Sequence, residues 1–186
     1  MMETAWARGL LYSNLLSQLA LFAGALWSIA FPDRRVYPMM RRDGWWLAMW
    51  ILFGFAFLTN PVFVVLDWDS GSLASPLRFW IGAPVVLTGS ALVLWAIATF
   101  GLNRTSGLPE GFLAEGPYRL SRNPQYVGDF LLFAGIAIIA NSGAVAVTQL
   151  LMAFVLLLGP FAEEPWLEEV YGKPDLDDRR SVPRYL

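Results

Sequence analysis

The sequence predicts an all-α protein that crosses a membrane several times, and three observations support this prediction. Hydrophobic residues make up 56% of the 186 residues, above the roughly 45–50% of ordinary soluble domains. The mean hydropathy is +0.50, and charged residues account for only 15% of the chain. Long apolar stretches alternate with short polar segments. We therefore expect about five transmembrane helices in one membrane domain that spans residues 1–186.

Five apolar stretches define the predicted helices. The first three reach the roughly 20 residues that a membrane-spanning helix needs: Leu10 to Phe31, Trp45 to Leu66 and Leu77 to Phe100. The last two are shorter, and Asn141-Ser142-Gly143 separates them, so they predict a tight helical hairpin: Val127 to Ala140 and Ala144 to Phe161. We expect residues 1–102 to form scaffold helices, and residues 103–186 to form a cofactor-binding loop, the hairpin and a tail.

The basic residues predict how these helices are oriented. If the N-terminus lies outside, only Arg8 and Arg78 face the outer side. The other basic residues then share the inner side: Arg34, Arg35, Arg41, Arg42, Arg104, Arg119, Arg122, Lys173, Arg179, Arg180 and Arg184. Such asymmetry is typical of cytoplasmic loops. We therefore expect a multi-pass protein, of a bacterial inner membrane, with its C-terminus and active site in the cytoplasm.

The composition excludes several function classes. Because the chain has neither Cys nor His, it has no disulfides, no thiol nucleophile, no imidazole base and no Cys or His ligands for zinc. The net charge is −2, and no basic run alternates with aromatic residues, so nucleic acid is not an expected partner. We expect no metal. The expected partners are membrane lipids and a lipophilic or small acceptor substrate.

The polar loop from Gly116 to Gly128 concentrates charge, aromatic residues and turn formers between two apolar stretches. Charge of this kind is costly in lipid unless it faces water, a partner or a pocket. A second polar motif, Glu163-Glu164, follows the fifth apolar stretch. The Pro and Gly residues after it, from Pro165 to Gly172, predict a helix break and a short cytoplasmic amphipathic segment. Since both motifs fall on the predicted cytoplasmic side, we expect them to meet.

Together these motifs resemble the isoprenylcysteine carboxyl methyltransferase and phospholipid methyltransferase family of integral membrane enzymes. The loop matches the family pattern at Gly116, Pro117, Tyr118, Arg119, Arg122, Asn123, Pro124, Tyr126 and Gly128. The later part matches it at Glu163, Glu164, Leu167, Tyr171-Gly172 and Val182-Pro183-Arg184. The first 100 residues match only as generic membrane helices. Asn123 stands where many members have histidine, which excludes proton transfer at that position.

The resemblance implies an enzyme that uses S-adenosylmethionine to methylate a lipophilic acceptor. It implies a cofactor site built from Gly116, Pro117, Tyr118, Arg122, Asn123, Tyr126, Gly128, Glu163 and Glu164. The glutamates are expected to hold the ribose or ammonium, and Arg122 and Asn123 the carboxylate. Arg180 or Arg184 is the expected catalytic residue, holding an anionic head group of the acceptor. Attraction of these two arginines to anionic lipid is the alternative.

The acceptor and two other function classes stay open. A prenylated cysteine carboxylate, a phosphatidylethanolamine amine and a small thiol all suit a pocket that faces the membrane. The absence of an aromatic cage in the motif region disfavours the amine, although distant Trp residues can supply one. A sterol-type reductase that uses NADPH is the second class, because its related loop often ends with an acid where this chain has Asp129. A non-catalytic membrane scaffold is the third.

Overall fold

The computed structural model describes residues 4–39, 42–101, 111 and 113–185. Arg41, Arg104 and the first part of the predicted cofactor loop, residues 103–110, lie outside the described residues. Within the described ranges the chain forms helices and no strand, as predicted. The helices are α1 (Ala5–Ala30), α2 (Gly44–Leu66), α3 (Ser75–Phe100), α4 (Pro124–Ala140), α5 (Gly143–Tyr171) and α6 (Lys173–Ser181). Short 3₁₀ helices cover Pro32–Arg34 and Gly116–Arg119.

The predicted multi-pass architecture is confirmed. Four helices, α1, α2, α3 and α5, are long and apolar enough to cross a membrane. The fifth apolar helix, α4, has 17 residues, slightly fewer than the roughly 20 of a full crossing. Asn141 ends α4, and Ser142 caps α5 by accepting a hydrogen bond from the Val145 amide at 3.1 Å. The hairpin predicted at this turn is therefore present.

The helix break predicted from the Pro and Gly residues lies at Gly172 and not at Pro165. Helix α5 continues through Pro160 and Pro165 to Tyr171, so the glutamate pair lies inside the helix. Membrane helices tolerate proline because neighbouring groups satisfy the freed backbone carbonyls. The helix ends instead at Gly172, whose φ of +58° is the left-handed conformation that glycine adopts readily. The tail helix α6 then begins, and its inward side chain is the buried Asp175.

Helices α3 and α4 approach each other more closely than ordinary side chains allow. A Cβ atom at Gly89 would lie 2.7 Å from the Gly128 carbonyl oxygen, and one at Gly128 would lie 3.0 Å from the Gly89 carbonyl oxygen. Gly82 and Gly135 repeat this contact one heptad away, at 3.1 and 3.0 Å. Small residues are typical of such interfaces in membranes, where close backbone packing replaces the hydrophobic effect. Next along the bundle, α4 packs on α5, α5 on α1, and α1 on α2.

A layer of polar side chains divides the apolar core of the bundle. One apolar cluster contains Ala56, Phe133, Met152, Ala153 and Leu156, and the other contains Phe63, Ala140 and Val145. Between them along α2 and α5 lie the buried Asn60 and Gln149. From α1, the buried Asn14 amide donates to the Ala56 carbonyl at 2.9 Å and to Thr59 Oγ1 at 2.7 Å. Hydrogen bonds therefore join α1 to α2 inside the apolar region.

One end of the bundle is closed by a small polar network. The Ser142 hydroxyl donates to Asp67 Oδ2 at 2.6 Å, and the Asn141 amide donates to Asp69 Oδ1 at 2.8 Å. Burial opposes ionisation of Asp67, but the hydrogen bonds from Ser142 and Ser70 hold its pKa below the usual 3.8. This network ties the connection between α2 and α3 to the α4–α5 hairpin.

Candidate functional site

A cavity of about 270 Å³ lies at the opposite end of the bundle. Three segments meet around it: the connection between α1 and α2, the loop from Gly116 to Gly128, and the end of α5 with its tail. Its polar lining includes Tyr37, Tyr118, Arg122, Asn123, Gln125, Tyr126, Asp129, Glu163 and Glu164. Its apolar lining includes Leu21, Ala25, Met49, Trp50, Phe53, Val155 and Leu156. The cavity therefore joins a polar end to walls formed by membrane helices.

Glu163 lies in this cavity with two tyrosine hydroxyls on the same carboxylate oxygen. Tyr126 donates to Glu163 Oε1 at 2.5 Å, and Tyr37 donates to the same atom. The two hydroxyl oxygens lie 2.6 Å apart. A Cβ atom at Gly159, one turn before Glu163, would lie 2.9 Å from the Tyr126 hydroxyl. Glycine at 159 thus leaves the space in which Tyr126 reaches the carboxylate.

Tyr37 is a site residue that the sequence did not reveal. It belongs to the segment that the sequence assigned to the scaffold, and no motif surrounds it. The Ser28 hydroxyl holds its backbone by accepting from the amides of Val36 and Tyr37 at 3.0 and 3.1 Å. An ion pair between Arg35 and Glu169, at 2.6 Å, ties the same segment to α5. Burial, and then the charge of Glu163, raise the pKa of Tyr37 well above its usual value, so the hydroxyl keeps its proton.

Glu164 is held by two arginines. Arg184 Nε and Nη2 donate to the two carboxylate oxygens at 2.7 Å each, and Arg122 Nη1 lies 2.9 Å from Oε1. The hydrogen bond and the charge of Glu164 raise the pKa of Arg184. The Arg184 guanidinium also lies 4.1 Å from the centroid of the Phe161 ring. Glu164 therefore positions both arginines, and it binds Arg184 in the bidentate geometry typical of such pairs.

The end of the chain docks on the polar loop. The Asn123 amide donates to the Arg184 carbonyl at 2.9 Å, and the Arg122 backbone amide donates to the Pro183 carbonyl at 2.9 Å. The Ser121 hydroxyl donates to the same Arg184 carbonyl at 3.3 Å. Three consecutive loop residues thus hold two residues of the Val182-Pro183-Arg184 motif. The two motifs that the sequence placed on one side of the membrane are in contact.

Six of the predicted site residues line the cavity: Tyr118, Arg122, Asn123, Tyr126, Glu163 and Glu164. The other five lie outside its described lining. Gly116 begins the 3₁₀ helix with a φ of +55° against Thr99, and Pro117 is fully buried. Gly128 serves the α3–α4 interface described above. These three glycine and proline positions shape the loop and its helix.

The two predicted catalytic arginines have different surroundings. Arg184 is bound to Glu164, whereas the Arg180 side chain is 80% exposed and lies 3.6 Å from Asp177 on the outer face of α6. Arg180 is thus directed to the solvent side of the tail helix. Of the two, Arg184 contacts the residues of the cavity.

Several polar groups of the cavity residues have no partner among the described residues, and three of them are Arg122 Nε, Trp50 Nε1 and the Asp129 carboxylate. Arg122 Nε and Trp50 Nε1 are buried and make no hydrogen bond there. The Asp129 carboxylate lines the cavity from α4, and the described part of the chain offers it neither a hydrogen bond nor an ion pair. Buried polar groups are normally satisfied, so Arg122 Nε and Trp50 Nε1 can each receive a ligand, as can the half-buried Asp129 carboxylate. The described residues contain no cluster of three side chains suited to a metal ion.

Comparison with known protein families gives one match. A sequence profile of the phospholipid methyltransferase family matches residues 77–174, slightly more than half of the chain. The matched segment includes Asn123, Tyr126, Asp129 and the glutamate pair, but neither Tyr37 nor Trp50. No curated protein and no solved structure matches the chain.

Proposed function

Because the chain belongs to the phospholipid methyltransferase family, we propose that it is a membrane methyltransferase that binds S-adenosylmethionine in this cavity. The observation that carries the proposal is the two-sided character of the cavity. Arg122, Glu163 and Glu164 form one end, and the membrane segments of α1, α2 and α5 form the other. A polar cofactor and a lipophilic acceptor need such neighbouring environments.

The residues present fit S-adenosylmethionine. Arg122 Nε is a buried donor without a partner, which suits the carboxylate of the cofactor. The oxygens of Glu163 and the amides of Asn123 and Gln125 suit its ammonium and ribose. Aromatic rings of Tyr118 and Trp166 line the same cavity and suit adenine. The volume of about 270 Å³ lies just below the range of typical small-molecule sites, about 300–1,000 Å³.

In this proposal the protein acts mainly by positioning the cofactor and the acceptor and by excluding water from the reacting atoms. When bound, the cofactor supplies a methyl group activated by a sulfonium. Glu164 fixes Arg122, and the hydroxyls of Tyr37 and Tyr126 fix Glu163, so the binding groups are ordered before ligands arrive. The apolar walls keep water from the reacting atoms. We propose that a lipid acceptor enters laterally from the bilayer between α2 and α3, which have no extensive contact within the described residues.

We propose that the acceptor is lipophilic and that methylation takes place at the cytoplasmic face. The proposed orientation rests on the basic residues, since Arg35, Arg122, Arg179 and Arg184 all lie at the cavity end of the bundle. An acceptor carboxylate, as in an isoprenylcysteine methyltransferase, would have to share Arg184 with Glu164. An amine or a thiol has no such requirement.

Titration of the purified protein with S-adenosylmethionine and with NADPH tests the proposed cofactor. We expect calorimetric binding of S-adenosylmethionine only, weakened about tenfold or more in Arg122→Gln, because a charged hydrogen bond contributes about 1.5–3 kcal/mol. Arg119→Gln is the matched control, since Arg119 is exposed on the same loop. Binding of NADPH alone would favour the reductase, and binding of neither ligand would favour a scaffold.

A further inference from the structure

We propose that a groove beside the start of α2 binds the phosphate of an anionic membrane lipid. The groove has a volume of about 490 Å³ and is distinct from the cavity described above. Its lining includes two arginines, an aromatic ring and apolar side chains: Arg34, Arg35, Val36, Pro38, Met39 and Trp45. The lipid is a stabilising ligand here and not a methyl acceptor, so the inference does not depend on the proposed function.

Tryptophan side chains indicate the depth of this groove in the membrane. Trp45 lies in the first turn of α2 and is 69% exposed, and Trp27 lies in the last turn of α1 and is 46% exposed. The Trp27 indole donates to the Arg34 carbonyl at 3.0 Å, which holds the backbone of Arg34 beside this ring. Indole rings at the ends of membrane helices settle at the boundary between hydrocarbon and water. We therefore expect the groove to lie at the level of the lipid phosphates.

Arg34 is the cation of the groove that is free to bind a ligand. Its side chain is exposed, and its guanidinium has neither a hydrogen bond nor an ion pair with the described residues. Arg35, the neighbouring cation, already binds Glu169 of α5 at 2.6 Å. A guanidinium binds phosphate oxygens through parallel N–H donors, with a geometry that matches the phosphate group. Arg34 is therefore the residue that we expect to contact the lipid phosphate.

The acidic side chains around the groove leave the charge of Arg34 accessible. Asp43 lines the groove, but it caps α2, whose first amides donate to its Oδ1 atom at 3.0 and 3.1 Å. The positive end of the helix dipole compensates a carboxylate at such a position. Glu169 is paired with Arg35, and Asp33 is exposed outside the described lining of the groove. An anionic head group therefore fits this groove better than a cationic one.

The groove and the cavity share a wall formed by Pro38 and Met39. Both side chains are buried, and both line the two spaces. Tyr37 precedes them and donates to Glu163 inside the cavity. A lipid bound to Arg34 would hold this short segment in the position that brings the Tyr37 hydroxyl to Glu163. Since the inner leaflet of a membrane carries the anionic lipids that attract such basic segments, we expect the bound lipid to stabilise the folded protein.

Calorimetry on the purified full-length protein in a neutral detergent tests the site. The probes are dihexanoyl phosphatidylglycerol, which is anionic, dihexanoyl phosphatidylcholine, which has a cationic head group on the same chains, and inorganic phosphate. We expect the anionic lipid to bind about tenfold or more tightly than either other probe. Arg34→Gln should weaken its binding about tenfold or more, because the phosphate loses a charged donor. Arg180→Gln, which removes the same charge from the exposed face of α6, is the matched control and should not change it.

Thermal unfolding provides a second measurement on the same variants. The anionic lipid should raise the unfolding midpoint of the wild type and of Arg180→Gln, and it should leave that of Arg34→Gln unchanged. Three outcomes would overturn the inference: unchanged lipid binding in Arg34→Gln, equal affinity of the wild type for the two lipids, or inorganic phosphate binding as tightly as the anionic lipid, which would indicate a site for free phosphate. None of these measurements uses S-adenosylmethionine, so the inference and the proposed function can fail separately.

Discussion

Two phenol hydroxyls donate to a single oxygen of Glu163, and they come from distant parts of the chain. Tyr126 belongs to the segment that matches the family profile, whereas Tyr37 lies 89 residues earlier, outside it. Each hydroxyl uses its hydrogen to stabilise the carboxylate, so the side chain of Glu163 is held in one orientation. A residue outside the family segment thus helps to order the proposed cofactor site.

We expect Tyr37→Phe to weaken S-adenosylmethionine binding about tenfold, because Glu163 loses one of the two hydroxyl donors that fix its carboxylate. A hydrogen bond to a charged group contributes about 1.5–3 kcal/mol. Calorimetry on the purified variant measures the effect. Tyr12→Phe is the matched control, since Tyr12 is 61% exposed on α1. If both variants bind the cofactor as the wild type does, the hydroxyl of Tyr37 has no part in ordering the site.

The sequence predicted part of the candidate site, and the missing part has a physical explanation. Motif spacing identified Arg122, Tyr126 and the glutamate pair, because their residue types are unusual beside apolar helices. It did not indicate that Glu164 would be neutralised by Arg184, or that Tyr37 would reach Glu163. Both contacts join residues on separate elements, and periodicity describes only one element at a time.

Among the helices, α3 and α4 are the pair whose packing tolerates the least change. Their backbones meet at Gly89 and Gly128, and the loop that carries the polar end of the cavity connects the same two helices. Displacement of α4 would move Asn123, Tyr126 and Asp129 together. The glycine contact therefore sets the position of the site as well as the stability of the bundle.

Gly89→Ala should destabilise the protein by about 1–3 kcal/mol, since its Cβ would meet backbone atoms that cannot move independently. Gly54→Ala is the control: nothing lies within 4 Å of its added Cβ, and we expect stability within about 1 kcal/mol of the wild type. Unfolding by dodecyl sulfate in mixed micelles measures both. Equal stabilities of the two variants would contradict the close approach of α3 and α4.

The presence of each helix was easier to predict from the sequence than the residue at which the helix ends. The apolar stretches of the sequence located all five apolar helices, four of which are long enough to cross a membrane. The sequence did not decide at which residue between Pro165 and Gly172 α5 ends, because proline breaks helices in water, whereas here the helix continues to Gly172. Gly172 has a positive φ, and a glycine in this conformation is a common local signal at the end of a helix.

For the molecule as a whole, the two ends of the bundle have different chemistry. One end carries the network of Asp67, Asp69, Asn141 and Ser142, and the other carries most of the described arginines around the cavity. By the positive-inside rule, we therefore propose that the cavity end faces the cytoplasm.

Single cysteines test this orientation directly, because the chain contains no native cysteine. Ser72→Cys lies in the exposed connection between α2 and α3, and Ser181→Cys lies at the end of α6. In intact cells, a membrane-impermeant maleimide should label position 72, and position 181 only after permeabilisation. The reverse pattern would place the cavity on the outer face.

The amide layer in the core has a consequence for the biogenesis of the protein. Helix α1 is the least apolar of the four long helices, and it carries Asn14 and Gln18. The acceptors of the Asn14 amide are in α2, the next helix that the ribosome delivers. A polar amide without a hydrogen-bond partner is unfavourable in lipid. In the α1–α2 pair the Asn14 amide has its acceptors in α2. We therefore expect α1 and α2 to insert together as one hairpin, with the Asn14 amide already bonded to α2.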